Sequence, residues 1–243
     1  MAARRNDFKL QGEVRSPAKT MGPRALRTSG LIKERAREVF LAKGYYGTSV
    51  EEIAEAAGVS RASFYTYFPS KRDLLYALGT DTYEALSATL DEITALVPTW
   101  TDDDVYEIVR IYLRFLERHG AFMLVWSQAT YGDDALAKTG MRTRLVNARR
   151  FGQLLQQLSG EDVDPDDDPG RFGLAILVMV DRYWSYWRVN DFPFSEEEVV
   201  QTLGDVLGAF ITSRRPPRVR SKSTPGRASR DRRGAPRRSR GSG

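Results

Sequence analysis

Residues 58–71 read GVSRASFYTYFPSK, in which Phe64, Tyr65, Tyr67 and Phe68 crowd behind Arg61 before the stretch closes on Pro-Ser-Lys. So many rings suit a packed helix, yet the Ser, Thr and Arg between them suit a surface. A helix with two working faces reconciles the two. Gly58 supplies the left-handed turn that a tight junction between helices requires. Ser60 is placed to cap a helix over RASFYTYF, and Pro69 stops it. Just upstream, VEEIAEAA reads as a helix opened by Thr48 or Ser49, with Glu51 and Glu52 in its first turn, where negative charge suits the helix dipole. Small Ala54 lets the second helix cross close over the first, and Ile53, Val59 and Phe64 are spaced to share one small core. Two short helices joined in this way fit a helix-turn-helix.

Arg61, Ala62, Ser63, Tyr65, Thr66 and Tyr67 then fall on the outward side of the second helix. Such a helix enters the major groove with its N-terminal residues nearest the bases. Arg61 can pair with guanine O6 and N7, and small Ala62 lets the backbone approach. The hydroxyls of Thr48, Ser60 and the tyrosines, with Lys71, can each hold a phosphate. The competing reading is a merely aromatic-rich packing helix. The small residue, glycine turn, cap and following lysine argue together against it.

Outward from this segment only helical periods appear. Leu31, Ile32, Ala36, Val39 and Phe40 recur at helix spacing and stop at Gly44. Ser70 caps a long helix to about Val97, where Pro98 ends it. Further segments are expected at about 103–118, 121–131, 134–159, 170–190 and 195–213. No stretch alternates with period two long enough to be a strand. The fold class is all-α: an N-terminal three-helix helix-turn-helix domain at 28–75 and a C-terminal helical ligand-binding and dimerisation domain at 76–213. A basic flexible arm at 1–27 and a disordered basic tail at 214–243 flank them.

Charge follows the same division. The net charge is +5, but residues 1–37 hold ten Lys/Arg against three Asp/Glu, and residues 214–243 hold twelve against one. The middle is acidic, so contact with a polyanion is expected at the ends. The absence of cysteine excludes disulfides and thiolate metal sites. The N-terminus has no apolar run of the kind a signal peptide carries. The longest apolar run, LAILVMV at 174–180, is far shorter than the about 18–20 residues of a membrane span. A cytoplasmic, nucleoid-associated protein with no membrane partner is expected.

The stretch GYYGTSVEEIAEAAGVSRASFYTYFPSKRDLL, residues 44–75, is very similar to the DNA-binding signature of the tetracycline-repressor (TetR) family. The likeness is close over about 30–80; beyond that it extends to helix number and length. The resemblance implies a homodimeric transcriptional regulator, usually a repressor released by a small molecule. It places Thr48, Ser60, Arg61, Ala62, Ser63, Tyr65, Tyr67 and Lys71 where family members contact DNA. The basic tail departs from the family's usual compact end.

The second half suggests a twin and a ligand. Gly204 and Gly208 lie on a helix with an apolar stripe of Val199, Leu203, Val206, Leu207, Phe210 and Ile211, and glycines permit close helix approach. The 170–190 helix is apolar on nearly all sides through Val180, so it buries two faces. A homodimer through helices at about 170–190 and 195–213 is one reading, and a purely intramolecular core is the other. Two-fold symmetry predicts a palindromic operator on double-stranded DNA. Trp100, Phe115, Phe122, Trp126, Tyr131, Phe151, Leu177, Tyr183, Trp184 and Trp187 are candidate walls of a pocket for a small hydrophobic effector, as apolar ligands favour aromatic clefts between helices. Taken singly, each reads more readily as ordinary core. LVMVDRYWSYW bears a weak resemblance to the branch that takes long apolar or acyl ligands.

Little else carries chemistry. His119 is the only histidine, without the partners that a catalytic triad or histidine metal site needs. The acidic run EDVDPDDDPG, 161–170, lacks the central Gly and closing Glu of a calcium loop. No cofactor and no enzyme activity are expected. The basic tail reads as sequence-independent phosphate contacts, as a handle for another acidic partner, or as a solubilising segment. The rival to a sequence-specific regulator is a nucleoid-type or architectural binder dominated by its basic arms.

Overall fold

The computed structural model of the chain describes residues 21–160 and 168–215. The expected arm up to residue 20, the acidic run over 161–167 and the tail from 216 lie outside the described residues. Among the described residues eight α-helices follow one another: α1 Pro23–Lys43, α2 Val50–Ala56, α3 Arg61–Tyr67, α4 Lys71–Thr94, α5 Asp104–Thr130, α6 Asp134–Ser159, α7 Gly170–Trp184 and α8 Glu196–Ser213. No strand occurs among the described residues, so the all-α expectation holds.

The caps explain where the short helices start. Ser49, not Thr48, opens α2 in a full capping box with Glu52. Ser60 accepts from the Ser63 amide to open α3, and Ser70 accepts from the Asp73 amide to open α4. Gly58 sits at φ 63°, the left-handed conformation expected of the α2–α3 junction.

Three features differ from the sequence reading. Helix α1 begins at Pro23, ahead of the arm boundary expected at 28, with proline in its first turn, where the missing N–H costs nothing. The expected break between 118 and 121 is absent: α5 runs through Gly120, on which the Trp184 ring packs. A Cβ there would lie 2.5 Å from the ring. Helix α7 ends at Trp184 and continues as one π-helical turn over Ser185–Val189.

Two cores result. The first joins Ile32, Phe40, Ile53, Phe64, Phe68 and Leu74 with Phe122, Val125 and Ala129 of α5 and Leu136 of α6. The platform of the helix-turn-helix therefore reaches across the boundary expected at residue 75. The second core is built from α4 to α8. There α7 lies so close on α6 that a Cβ on Gly173 would be 1.9 Å from the Ala148 carbonyl oxygen. That accounts for one apolar face of α7; the outer face leaves Val178 44% exposed.

On α8, Val199, Leu203, Leu207 and Ile211 are buried, whereas Val206 is 43% exposed. Gly204 serves packing within the chain: a Cβ there would lie 2.2 Å from the Tyr106 ring, whose hydroxyl donates to Asp205 at 2.8 Å. A Cβ on Gly208 would meet only Val105, at 3.8 Å. Among the described residues no helix is long and apolar enough to cross a membrane.

Candidate nucleic-acid interface and effector cavity

Helix α3 presents the two faces its sequence calls for. Phe64 is fully buried and packs at 5.9 Å, ring to ring, on Phe68. Arg61, Ala62 and Tyr65 are exposed, with Ser63 and Tyr67 half-buried. Arg61 is already held in place. Its Nη1 pairs with Glu51 Oε1 of α2 at 2.7 Å, and its guanidinium lies over the Tyr65 ring at 5.6 Å. Arg is the side chain best shaped for a guanine edge. Ser60 uses its lone pair on the helix cap and keeps its hydroxyl proton for a phosphate.

Two of the residues expected at DNA have partners within the chain. Thr48 is 3% exposed, and its hydroxyl donates to the Gly44 carbonyl at 2.8 Å, so it fastens the α1–α2 turn instead of facing a duplex. Lys71 donates to the Tyr45 carbonyl at 2.7 Å and the Thr48 carbonyl at 2.6 Å, and sits over the Tyr45 ring at 4.5 Å. Burial lowers its pKa from the ordinary lysine value. It ties the start of α4 to the same turn.

The second domain holds a cavity of about 490 Å³ bordered by α4, α5, α6 and α7, within the range of drug-sized ligand sites. Phe115, Phe122, Trp126 and Leu177 line it, as expected from sequence. The other six candidates do not. Trp100 borders a different concavity beside Tyr106 and Gly208, and Tyr131 is 93% exposed at the end of α5. Phe151 is buried in the core. Tyr183 stacks on Phe194 at 6.5 Å, ring to ring, away from the cavity. The Trp184 indole donates to Glu117 at 3.1 Å, and the Trp187 indole donates to the Phe194 carbonyl at 2.7 Å. Hydrophobic rings fill cores and cavities alike, so residue type alone could not sort them.

Sequence reading also missed the polar end of the cavity. Tyr112 donates to Asp181 at 2.8 Å, and Arg144 approaches the other oxygen of the same carboxylate at 3.5 Å. Burial raises the Asp181 pKa, with Arg144 and then Tyr112 opposing it, and burial raises that of Tyr112 well above the usual tyrosine value. Asn147 is 2% exposed, and its Oδ1 has no hydrogen-bond partner among the described residues. The available signal was Asp181, an acid closing the apolar run of α7.

Trp126 connects cavity and platform. It lines the cavity, packs against the helix-turn-helix core and meets Tyr76 of α4 edge-on at 5.9 Å.

Comparison with known proteins agrees with this division. Residues 32–78 match the family described as "Bacterial regulatory proteins, tetR family". The chain is 38% identical over 160 residues to the HTH-type transcriptional regulator TcmR of Streptomyces glaucescens, covering 64% of this chain and 70% of TcmR. It is 32% identical over 130 residues to the "Probable HTH-type transcriptional regulator YttP" of Bacillus subtilis, covering 53% of this chain and 62% of that relative. Other relatives match over less: with RutR of Escherichia coli the alignment is 41% identical over 63 residues, 25% of this chain and 30% of that one. The structure of the TetR-family regulator PfmR from Thermus thermophilus superimposes with a TM-score of 0.59 at 24% identity, over 73% of this chain and 97% of that one, a likeness of fold.

Proposed function

The chain belongs to the tetR family of bacterial regulatory proteins, and from that premise we propose that it is a cytoplasmic transcriptional repressor. It binds a palindromic operator as a homodimer and is released by a small, largely apolar effector. The observation that carries the reading is α3: Arg61, Ala62 and Tyr65 exposed on a helix whose other face is locked by Phe64. Ser60, Ser63 and Tyr67 flank that surface as further DNA contacts.

Dimerisation is supported by apolar area left on the last two helices, with Val178 on α7 and Val206 on α8 both open. Two-fold pairing there sets two copies of α3 about 34 Å or a multiple apart, one helical turn of DNA or more. The cavity supports an effector, and Trp126 supports its effect on the platform. Release then follows from differential affinity: the effector favours the geometry in which the two recognition helices are misplaced for the operator. The relatives are named as regulators, which agrees with a binding protein and not a catalyst.

The test is selection of bound duplexes from a random DNA pool at physiological salt, with the full chain and with a chain ending at Ser213. A shared palindrome from both supports the regulator. An absence of consensus, with DNA retention lost on removing the tail, supports an architectural binder instead.

A further inference from the structure

The Trp126 indole lies in a slot cut by two glycines. A Cβ on Gly79 of α4 would come within 2.8 Å of its Cζ3, and a Cβ on Gly140 of α6 within 2.4 Å of its Nε1, on the other ring. Both separations are far inside van der Waals contact, so any larger residue at either position forces the indole to move. Both positions lie inside long helices, where glycine is the poorest residue but proline. What glycine supplies there is room for the indole. Tyr76 meets the ring edge-on at 5.9 Å, and Phe122 lies 6.1 Å away, ring to ring. Gly79, Trp126 and Gly140 all border the cavity, so the ring is held between α4 and α6 and faces the effector site.

The helix on one side of this slot is tied to the DNA-reading surface. Leu74, Leu75 and Leu78 of α4, within the five residues before Gly79, are fully buried in the core that holds Phe64 of α3. Close-packed interiors transmit strain, so a push on α4 at Gly79 is passed to that core.

Resting on the reading of this cavity as the effector site, we propose that the Trp126 indole is a wedge whose position between Gly79 and Gly140 sets the seat of α4 and, through it, the alignment of α3 for the operator. Trp126 is a positioning residue and touches no DNA. An occupant of the cavity that presses on the ring drives it against one glycine or the other and unseats α4.

The experiment presses the ring without any ligand. Gly79→Ala and Gly140→Ala each set a methyl group against the indole, one from α4 and one from α6. Affinity of the full chain for its selected palindrome is measured well below the melting temperature, so that a loss of stability alone leaves the folded fraction unchanged. Each variant is expected to weaken operator binding at least about 10-fold. Trp126→Phe replaces the two-ring system with a single ring, and combined with either alanine it is expected to return affinity to within about 3-fold of native. A merely disturbed helix would not be rescued in this way. Native affinity in the alanine variants, or a loss that Trp126→Phe does not relieve, overturns the wedge and leaves the regulator reading standing. If one alanine variant fails to fold, the other decides. A native chain that selects no palindrome overturns the regulator reading and the wedge with it.

Discussion

Arg72 Nε of α4 lies 2.6 Å from Asp133 Oδ2, and Asp133 is the residue whose carboxylate caps α6 through the Ala135 and Leu136 amides. One carboxylate thus fastens the first turn of the helix that follows the helix-turn-helix to the first turn of a helix that walls the cavity. If an effector moves α6, this pair is the expected link to α4.

Asp133→Asn keeps a good cap and removes the charge, since Asn and Asp cap about equally well. With Arg72→Met as the matching change, each variant is expected to weaken the effector's influence on operator affinity by about 0.5–2 kcal/mol. Effector-free operator binding stays close to native. Operator titrations with and without ligand measure this, and an undiminished ligand response in both variants contradicts the role.

Arg61→Ala removes the one exposed guanidinium on α3. Loss of a bidentate base contact weakens specific binding by about 1–3 kcal/mol and relaxes preference at one position of each half-site. The dimer and its melting temperature stay unchanged, because the Glu51 pair is exposed and contributes little. Competition binding against single-base operator variants checks both parts.

His119 stacks on Phe115 at 5.1 Å and faces Thr82 and Asp81 of α4, Arg37 of α1 and Arg118. Burial lowers its pKa, Arg37 and Arg118 lower it further, and Asp81 opposes them. The unfolded chain therefore binds a proton first as pH falls below about 6.5. The stability that this group confers is complete above that value and declines as pH drops through the lower folded value. Since His119 is the only histidine, His119→Gln is expected to flatten the change in urea midpoint between about pH 7.5 and 5.5. An unchanged slope contradicts the assignment.

Gly204→Ala forces the Tyr106 ring aside and disturbs its bond to Asp205. Overpacking of this kind costs about 1–3 kcal/mol, read as a lower urea midpoint with unchanged m-value. Gly208→Ala, whose added Cβ meets only Val105 at an ordinary 3.8 Å, is expected to leave monomer stability nearly unchanged. If instead Gly204→Ala changes only the oligomeric state, the glycine belongs to a dimer contact.

The helix-turn-helix was legible because its determinants are local. Gly58 fixes a turn, Ser49 and Ser60 fix caps, and Phe64 divides the faces, all within a short span of chain. The bonds of Lys71 to the Tyr45 and Thr48 carbonyls were not legible, because they join segments more than twenty residues apart. The cavity was half legible for a related reason. Periodicity marks Phe151 and Trp126 alike as apolar positions, but only the crossing of α4, α5 and α6 decides that one fills the core and the other faces a void. Asn147 carries no sequence signal, since it sits in a stretch of α6 rich in polar residues.

Whether α3 reads sequence is decided by a ratio. Binding of the selected palindrome and of a scrambled duplex of equal length is compared at physiological salt, for the full chain and for the chain ending at Ser213. A preference of about 10³ or more for the palindrome is expected, retained without the tail and reduced by Arg61→Ala. A ratio near one, or a preference that disappears with residues 214–243, contradicts it.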